Sequence, residues 1–372
     1  MNPPRVTQLA EATRILLVRL DNIGDVVLLS AAIREIDRAC PRARLTLLTT
    51  PAGASVAPLL PWIDDVIVHR PIWQDLHGDP GLGTESERRL VGDLSARAFD
   101  AAFIFTSFSQ SPEPAAYACL LAGIPVRVGH RTPSFSGRVL DPGVEPPPVG
   151  LHQAERSLHL VESVGVPAAN RRTDVSIPPA EADAAEQLLA EAGIEGARPF
   201  AALAPGASCA ARRAKPALLA AVAEHLSQAA TPVVLVGGAR DAEATGPIAS
   251  ATGAIDLTGR TSVPQLAAVI DRAAVAITMN SAPLHLADAL GTPLVVLYSG
   301  TDLESQWEPR QARSRVFRRP TDCSPCYLLE SAFDVACLDL DPVEIARAAL
   351  AFIEPPILRP AHTETAWIAS AS

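Results

Sequence analysis

Lysine and aromatic residues are scarce in this sequence. Of 31 basic residues only Lys215 is a lysine, aromatic side chains make up 4% of the chain, and 41 acidic residues leave a formal net charge of −10. Such a chain lacks both the basic field and the stacking side chains on which general nucleic-acid binding depends. No apolar run reaches about 18 residues and the N-terminus has no signal-peptide pattern, so we predict a cytoplasmic protein without a transmembrane helix.

The length and patterning of the chain predict two domains. Its 372 residues exceed one ordinary core and suit two domains of roughly 100–200 residues each. Strand-length apolar runs alternate with helix-periodic segments over 14–130, and the alternation restarts at residue 200. We therefore predict an α/β fold with two doubly wound, Rossmann-like domains that face each other across a cleft. The predicted boundaries are a first domain at 1–178, a linker region at 179–198, a second domain at 199–353 and a tail at 354–372.

Ten buried strands are expected in these domains. The first domain should have strands at 14–20, 45–49, 65–69, 101–105 and 126–130, and the second at 200–204, 232–238, 255–259, 275–279 and 293–299. The Pro-, Gly- and Ser-rich residues 131–150 are predicted to form a long loop.

The loop DNIGDV follows the first predicted strand and opens a helix. Gly24 permits a tight turn, and Asp25 falls in the first turn of the helix. A carboxylate at this position either caps free helix N–H groups or, beside a cleft at the carboxyl end of a strand, acts as a general base. Asp21 in the same loop is predicted to be a solvated turn residue.

A second loop, APGASCAARRAKP, also joins a predicted strand to a helix. It combines the small residues Gly206 and Ala207 with the hydroxyl of Ser208 and the charges of Arg212 and Lys215. Backbone N–H groups, a hydroxyl and a compact cation are features that bind phosphate oxygens. A flexible surface loop with solvated arginines is the alternative, but the position of the only lysine favours phosphate binding.

Polar and small residues follow three further strands of the second domain. Asn280, Ser281 and Ala282 stand at the start of a helix with His285 one turn inside it, so this helix N-terminus is a candidate anion site. The alternative for His285 is a purely structural role inside the helix. The remaining candidates for the nucleotide side are Gly237 and Gly238 at one strand end and Thr258 and Gly259 at another, where small residues allow a close approach.

Three cysteines cluster near the C-terminus, at Cys323, Cys326 and Cys337. Three thiols fall short of the four ligands that a structural zinc site usually has. We therefore predict no metal site and no cofactor.

Four segments, taken in order, resemble glycosyltransferase family 9, the bacterial heptosyltransferase-like family with the GT-B fold. They are RILLVRLDNIGDVVLLSAAI, the PG…K loop at 205–215, VVLVGG…D and NSAPLHLADALGTPLVVLYSGTD. The resemblance covers most of the chain and implies an inverting, metal-independent transfer of a sugar, often heptose from an ADP-activated donor. It implies that Asp25 is the catalytic aspartate and that the donor phosphates meet Ala207, Ser208, Lys215 and the family's D-[ST]-G-x-x-H segment, which falls on Asn280, Ser281, Ala282 and His285.

We therefore expect a glycosyltransferase that takes a nucleotide sugar and a glycan or lipid-linked acceptor, without nucleic acid. Membrane contact would be at most peripheral, at the inner face. Two alternatives remain open: a GT-B-type nucleotide-sugar epimerase, and a non-catalytic nucleotide-sugar-binding homologue. The second is favoured by Asn280 and Ala282, which replace the family's Asp and Gly. The loop HRTPSFSGR, with His130, Arg131 and Arg138, either meets an anionic acceptor or is solvated surface.

Overall fold

Two six-stranded parallel sheets form the framework of the computed structural model, which describes residues 9, 11–74, 81–132, 137–328, 330 and 335–353. The first sheet contains β1 (Arg14–Arg19), β2 (Arg44–Thr49), β3 (Asp65–Val68), β4 (Ala101–Ile104), β5 (Val126–His130) and β6 (Gly143–Val144). The second contains β7 (Ala201–Ala204), β8 (Val233–Leu235), β9 (Ile255–Asp256), β10 (Val275–Met279), β11 (Leu294–Leu297) and β12 (Ser314–Phe317). Their orders are β3-β2-β1-β4-β5-β6 and β12-β11-β10-β7-β8-β9.

Each sheet has the strand order of a Rossmann fold, because the second order, read from β9, repeats the pattern of the first. The order changes direction between β1 and β4 in the first sheet and between β7 and β10 in the second. Ligands of such sheets bind at these switch points, beyond the carboxyl ends of the strands. The predicted pair of doubly wound units is confirmed.

Helices connect the strands and cover both faces of each sheet. In the described residues they are α1 (Ile23–Ala39), α2 (Pro51–Ala54), α3 (Thr84–Arg97), α4 (Glu113–Leu121), α5 (Gln153–Glu162), α6 (Pro179–Glu191), α7 (Pro216–Gln228), α8 (Ala242–Thr252), α9 (Val263–Arg272), α10 (Ala282–Leu290) and α11 (Pro342–Ile353). None of these described helices is long and apolar enough to cross a bilayer.

The alternation of side chains along β1 explains the two covered faces. Ile15 and Leu17 point into one core cluster, whereas Leu16 and Val18 point into another, and all four are buried. A strand that buries both of its faces reads as a continuous apolar run, which is the pattern that RILLVR shows.

The two halves of the chain share one core. Buried side chains of α1, α5 and α6 lie in the same cluster as those of α9 and α10. Helix α10 packs against α1, and α6 packs against α9. The domain division at 179–198 stays a prediction. Helix α6, which lies within 179–198, packs against α9 of the second half. The tail at 354–372 lies outside the described residues.

Two edge strands were not expected from the sequence. β6 lies within the segment predicted as a long loop, and β12 follows the last predicted strand. Each occupies the edge of its sheet and has intermediate or exposed positions, so neither has the apolar run that predicted the inner strands. The strand predicted at 255–259 ends at Asp256, which leaves Thr258 and Gly259 in the turn that follows.

Candidate active site

Two adjoining cavities open between the sheets. The glycine-rich cavity has a volume of about 260 Å³, and its lining includes Gly24, Gly206, Gly237, Gly238, Asp25, Asp241, Ala207, Ser208, Arg212, Asn280, Ser281, Ala282, His285 and Trp307. The acidic cavity has a volume of about 560 Å³ and is lined by Asp21, Asn22, Asp25, Ser107, Phe108, Ser109, Gln110, Arg212, Thr301, Asp302, Trp307, Tyr327 and Leu328. Four residues line both: Asn22, Asp25, Arg212 and Trp307.

The loops that line the glycine-rich cavity follow β1, β7, β8 and β10, so it lies at the switch points of both sheets. Two helix N-termini reach it: Asn22 is the N-cap of α1, and Ser281 is the N-cap of α10. Both ends present free N–H groups and positive dipole ends, which is the arrangement that holds an anion.

Three residues that line this cavity, Ser281, Asn280 and Trp307, each have a buried side-chain polar atom with no hydrogen-bond partner within the described structure. The Oγ of Ser281 makes no cap bond to its own helix, and the buried Nδ2 of Asn280 donates no hydrogen bond. Asn280 itself is 2% exposed. Buried polar groups are nearly always hydrogen-bonded, so the side chains of Asn280 and Ser281 are candidates to bind a ligand.

Asp241 explains two of the glycines. Its Oδ2 accepts a hydrogen bond of 2.9 Å from the amide of Gly238. A Cβ on Gly237 would lie 2.7 Å from this oxygen, and a Cβ on Gly206 would collide with the same carboxylate. A side chain at either position would have to displace the Asp241 carboxylate, so glycine at both positions permits its close approach. Sequence reasoning did not select Asp241 as a site residue, although the GG…D spacing contains it.

His285 brings the two halves of the site together. A Cβ on Gly24 would lie only 2.6 Å from Cδ2 of His285, so α1 and α10 approach closely because residue 24 has no side chain. Burial lowers the pKa of His285 to about 4, although Asp25 and Asp288 oppose this shift. The imidazole is therefore neutral at pH 7. It lies beside Trp307, with ring centroids 6.1 Å apart.

Asp25 has the capping role, one of the two that the sequence left open, and its carboxylate is also ion-paired. Its Oδ2 accepts a 3.2 Å hydrogen bond from the backbone N–H of Asn22, which caps the start of α1. Its Oδ1 forms a 2.6 Å ion pair with Nη2 of Arg19. Arg19 is buried, and it also donates a 2.9 Å hydrogen bond to Ser107. These contacts orient the carboxylate at the junction of the two cavities.

Asp21 is not the solvated turn residue that was predicted. Its side chain is 8% exposed and lies 2.9 Å from Nε of Arg19. Gln110 donates a hydrogen bond to its other oxygen. Burial and the neighbouring Asp25 raise the pKa of Asp21, against the opposing effect of Arg19. The pKa of Arg19 is raised because Asp21 and Asp25 outweigh the effect of burial. The guanidinium of Arg19 thus forms ion pairs with two carboxylates, those of Asp21 and Asp25.

Arg212, in the loop that follows β7, lines both cavities. Its Nη2 lies 2.5 Å from Oδ2 of Asp302, and its Nε donates a 3.1 Å hydrogen bond to Thr301. Arg213 donates to the carbonyl oxygen of Ala207 at 2.9 and 3.1 Å and so holds the loop backbone.

Three predicted site residues lie outside both cavities. Lys215 is exposed and is the N-cap residue of α7. Its backbone is extended just before Pro216, which is the first residue of the helix. The amide of Thr258 donates to Asp256, and Gly259 packs on Ala239 with φ of +71°. The other eleven predicted residues line the glycine-rich cavity.

The clustered cysteines are free thiols. The Sγ of Cys337 accepts a 3.3 Å hydrogen bond from the amide of Gly300, which gives it a structural role. Within the described ranges, no three His, Cys, Asp or Glu side chains are arranged to hold a metal ion.

The comparison with known proteins identifies the family. A model described as glycosyltransferase family 9 (heptosyltransferase) matches residues 88–336. The chain belongs to glycosyltransferase family 9. This family 9 enzyme is 26% identical to lipopolysaccharide heptosyltransferase 2 of Salmonella typhimurium over 317 residues, which is 82% of this chain and 88% of that protein.

Solved structures share the fold of this family 9 glycosyltransferase. A family 9 glycosyl transferase from Veillonella parvula superposes with a TM-score of 0.74 at 18% identity, covering 92% of this chain and 97% of that one. ADP-heptose lipopolysaccharide heptosyltransferase II of E. coli gives a TM-score of 0.71 at 21% identity, with coverages of 92% and 98%. The predicted GT-B fold and enzyme class are confirmed.

Proposed function

We propose that this family 9 enzyme transfers a sugar, with inversion and without a metal, from a nucleotide-activated donor to a hydroxyl group of a glycan or glycolipid. The observation that carries this proposal is the position of Asp25, whose carboxylate lines both cavities. A donor in one cavity and an acceptor in the other would meet at this side chain. An ADP-activated heptose is the proposed donor, supported by the similarity to heptosyltransferase 2 along most of the chain.

The glycine-rich cavity suits the diphosphate of the donor. The N-terminus of α10, the hydroxyls of Ser208 and Ser281 and the amide nitrogen of Asn280 supply hydrogen-bond donors. Arg212 supplies positive charge beside them. Negative charge grows on the leaving diphosphate in the transition state, so groups fixed at this position lower the barrier. Asn280 in place of the family's aspartate adds a donor and removes a like charge from this cavity, which favours an active transferase.

Asp25 is proposed to remove the acceptor proton. The acceptor oxygen forms a bond to the anomeric carbon, the bond from that carbon to the phosphate oxygen breaks, and the hydroxyl proton passes to Asp25. A single displacement inverts the anomeric configuration. Arg19 and the Asn22 amide hold the carboxylate in place for this step.

We propose that the enzyme acts in the cytoplasm. A lipid-linked acceptor would bring it to the inner face of the membrane as a peripheral protein. We propose no nucleic-acid partner, because the chain is acidic, with a formal net charge of −10, and lacks an overall basic field.

The test compares Asp25→Asn with wild-type enzyme, and Asp93→Asn serves as a control because Asp93 is exposed on α3. ADP affinity is measured by calorimetry and sugar transfer by mass spectrometry, with and without a chelator. We expect Asp25→Asn to retain ADP binding and to lose transfer by at least about a hundredfold, the usual scale of acid–base catalysis. Transfer that survives in this variant, activity that requires a divalent metal, or release of free epimerised sugar would each contradict the proposal.

A further inference from the structure

The acidic cavity differs from the glycine-rich cavity in the charge of its lining. Three carboxylates line it, those of Asp21, Asp25 and Asp302, against the guanidinium of Arg212. That guanidinium is already paired with Asp302 at 2.5 Å, and the buried Arg19 behind the wall is shared by Asp21 and Asp25. An anionic group entering this cavity would meet carboxylate oxygens before any unpaired cation among the described residues.

The basic residues that could have met an anionic acceptor lie elsewhere. His130 is buried, and its Nε2 lies 3.1 Å from Nδ1 of His159. Burial, with Arg156 and His159 nearby, lowers the pKa of His130 to about 3, so it carries no charge at neutral pH. The side chain of Arg131 packs over Gly143. Neither these residues nor Arg138 lines the acidic cavity as described.

The rest of the lining suits a sugar ring. Aromatic faces from both halves of the chain approach each other, with the rings of Phe108 and Tyr327 5.9 Å apart. The indole Nε1 of Trp307 is buried and has no hydrogen-bond partner within the described part of the chain. Hydroxyls of Ser107 and Thr301 and the amide of Gln110 add polar groups. A volume of about 560 Å³ falls in the usual range of small-molecule pockets, about 300–1,000 Å³.

We infer that the acidic cavity binds the acceptor through a sugar unit that carries no negative charge, with Asp21 and Asp302 as the carboxylates that exclude anionic units. Its hydroxyl groups donate hydrogen bonds to these carboxylates, one hydroxyl faces Asp25, and the Trp307 N–H donates to a ring or hydroxyl oxygen. A carboxylate or phosphate on the same unit is repelled by these carboxylates at short range. This inference rests on the proposed function, because it assigns the second cavity to the acceptor.

Three matched probes test the inference: the methyl β-glycosides of glucose, glucosamine and glucuronic acid, which share one ring and differ in charge. The full-length enzyme is loaded with ADP, and binding is followed through the indole N–H signal of Trp307 after selective labelling of the four tryptophans. A Trp307→Phe variant assigns that signal. We expect the glucuronide to bind at least about tenfold more weakly than the glucoside, and the glucosaminide to bind as tightly as the glucoside or more so.

The variant Asp21→Asn removes one negative charge with little change of shape. We expect this variant to reduce the ratio of glucoside affinity to glucuronide affinity to about threefold. Asp93→Asn is the matched control, because it removes the same charge from an exposed position of α3 outside both cavities and should leave the ratio unchanged. Glucuronide binding as tight as glucoside binding, or no shift of the Trp307 signal with any of the three probes, would overturn the inference. ADP binding and the Asp25→Asn result are measured separately, so a failure here is distinguishable from failure of the transfer mechanism.

Discussion

Gly24→Ala is the substitution that the packing of the site resists most clearly. The new methyl group would lie 2.6 Å from Cδ2 of His285, far inside contact distance. His285 cannot easily yield, because it is 5% exposed and lies beside Trp307. Overpacking of this kind costs about 1–3 kcal/mol, and the better helix propensity of alanine returns up to about 1 kcal/mol. We expect a net loss of about 1–2 kcal/mol in the free energy of unfolding.

The loss should extend to activity, because residue 24 precedes Asp25 in the first turn of α1. Pushing α1 away from α10 widens the gap between the proposed base and the donor cavity. Displacements of about 1 Å at such a site lower rates by roughly a hundredfold. Urea denaturation gives the change in stability, and sugar transfer gives the change in rate.

A control and a double variant separate the clash from general effects of alanine. Gly92 lies within α3, and a Cβ there meets nothing within 4 Å, so Gly92→Ala should stabilise the protein by about 0.5–1 kcal/mol. In a His285→Ala background, Gly24→Ala should become nearly neutral because the clashing ring is gone. A Gly24→Ala protein as stable and active as Gly92→Ala would refute the packing argument.

Two further predictions concern charge. Arg212→Gln should weaken ADP binding by about tenfold or more, as measured by calorimetry. Lys215→Gln should change ADP affinity by less than about twofold, because Lys215 does not line either cavity. A larger loss of affinity in the lysine variant than in the arginine variant would support Lys215 as the phosphate ligand. The second is a pH effect: the folded pKa of His285, about 4, lies below its ordinary 6.5, so its contribution to stability is complete above pH 6.5 and is lost as pH falls toward 4. His285→Gln should remove up to about 1.4 kcal/mol per pH unit from the slope of unfolding free energy against pH in that window, and an unchanged slope would contradict the neutral buried state.

The inner framework was predictable because it depends on local apolar patterning. Each inner strand buries both faces, so its sequence is an apolar run whatever its neighbours are. β6 and β12 have only one neighbour each and short, partly exposed sequences, so their pairing is set by the sheet beside them. The Gly206 and Asn280 loops were predictable for the same reason as the inner strands, since each follows one of them directly.

The surroundings of two cavity residues depend on contacts distant in sequence. Asp21 was expected to be solvated, but its side chain is buried beside Gln110, 89 positions away, which the local loop pattern does not indicate. Arg212 reaches Asp302 across 90 positions. Lys215 is not among the residues that line the two cavities, and its role in phosphate binding stays a prediction. The neighbouring arginine lies on the turn that faces the cavities.

The core shared by α1, α5, α6, α9 and α10 has a practical consequence. Either half of the chain, expressed alone, would present to water the apolar side chains that its missing counterpart covers. Such fragments would be expected to precipitate or to require a chaperone. The same continuity means that wide separation of the two halves would expose this apolar interior to water.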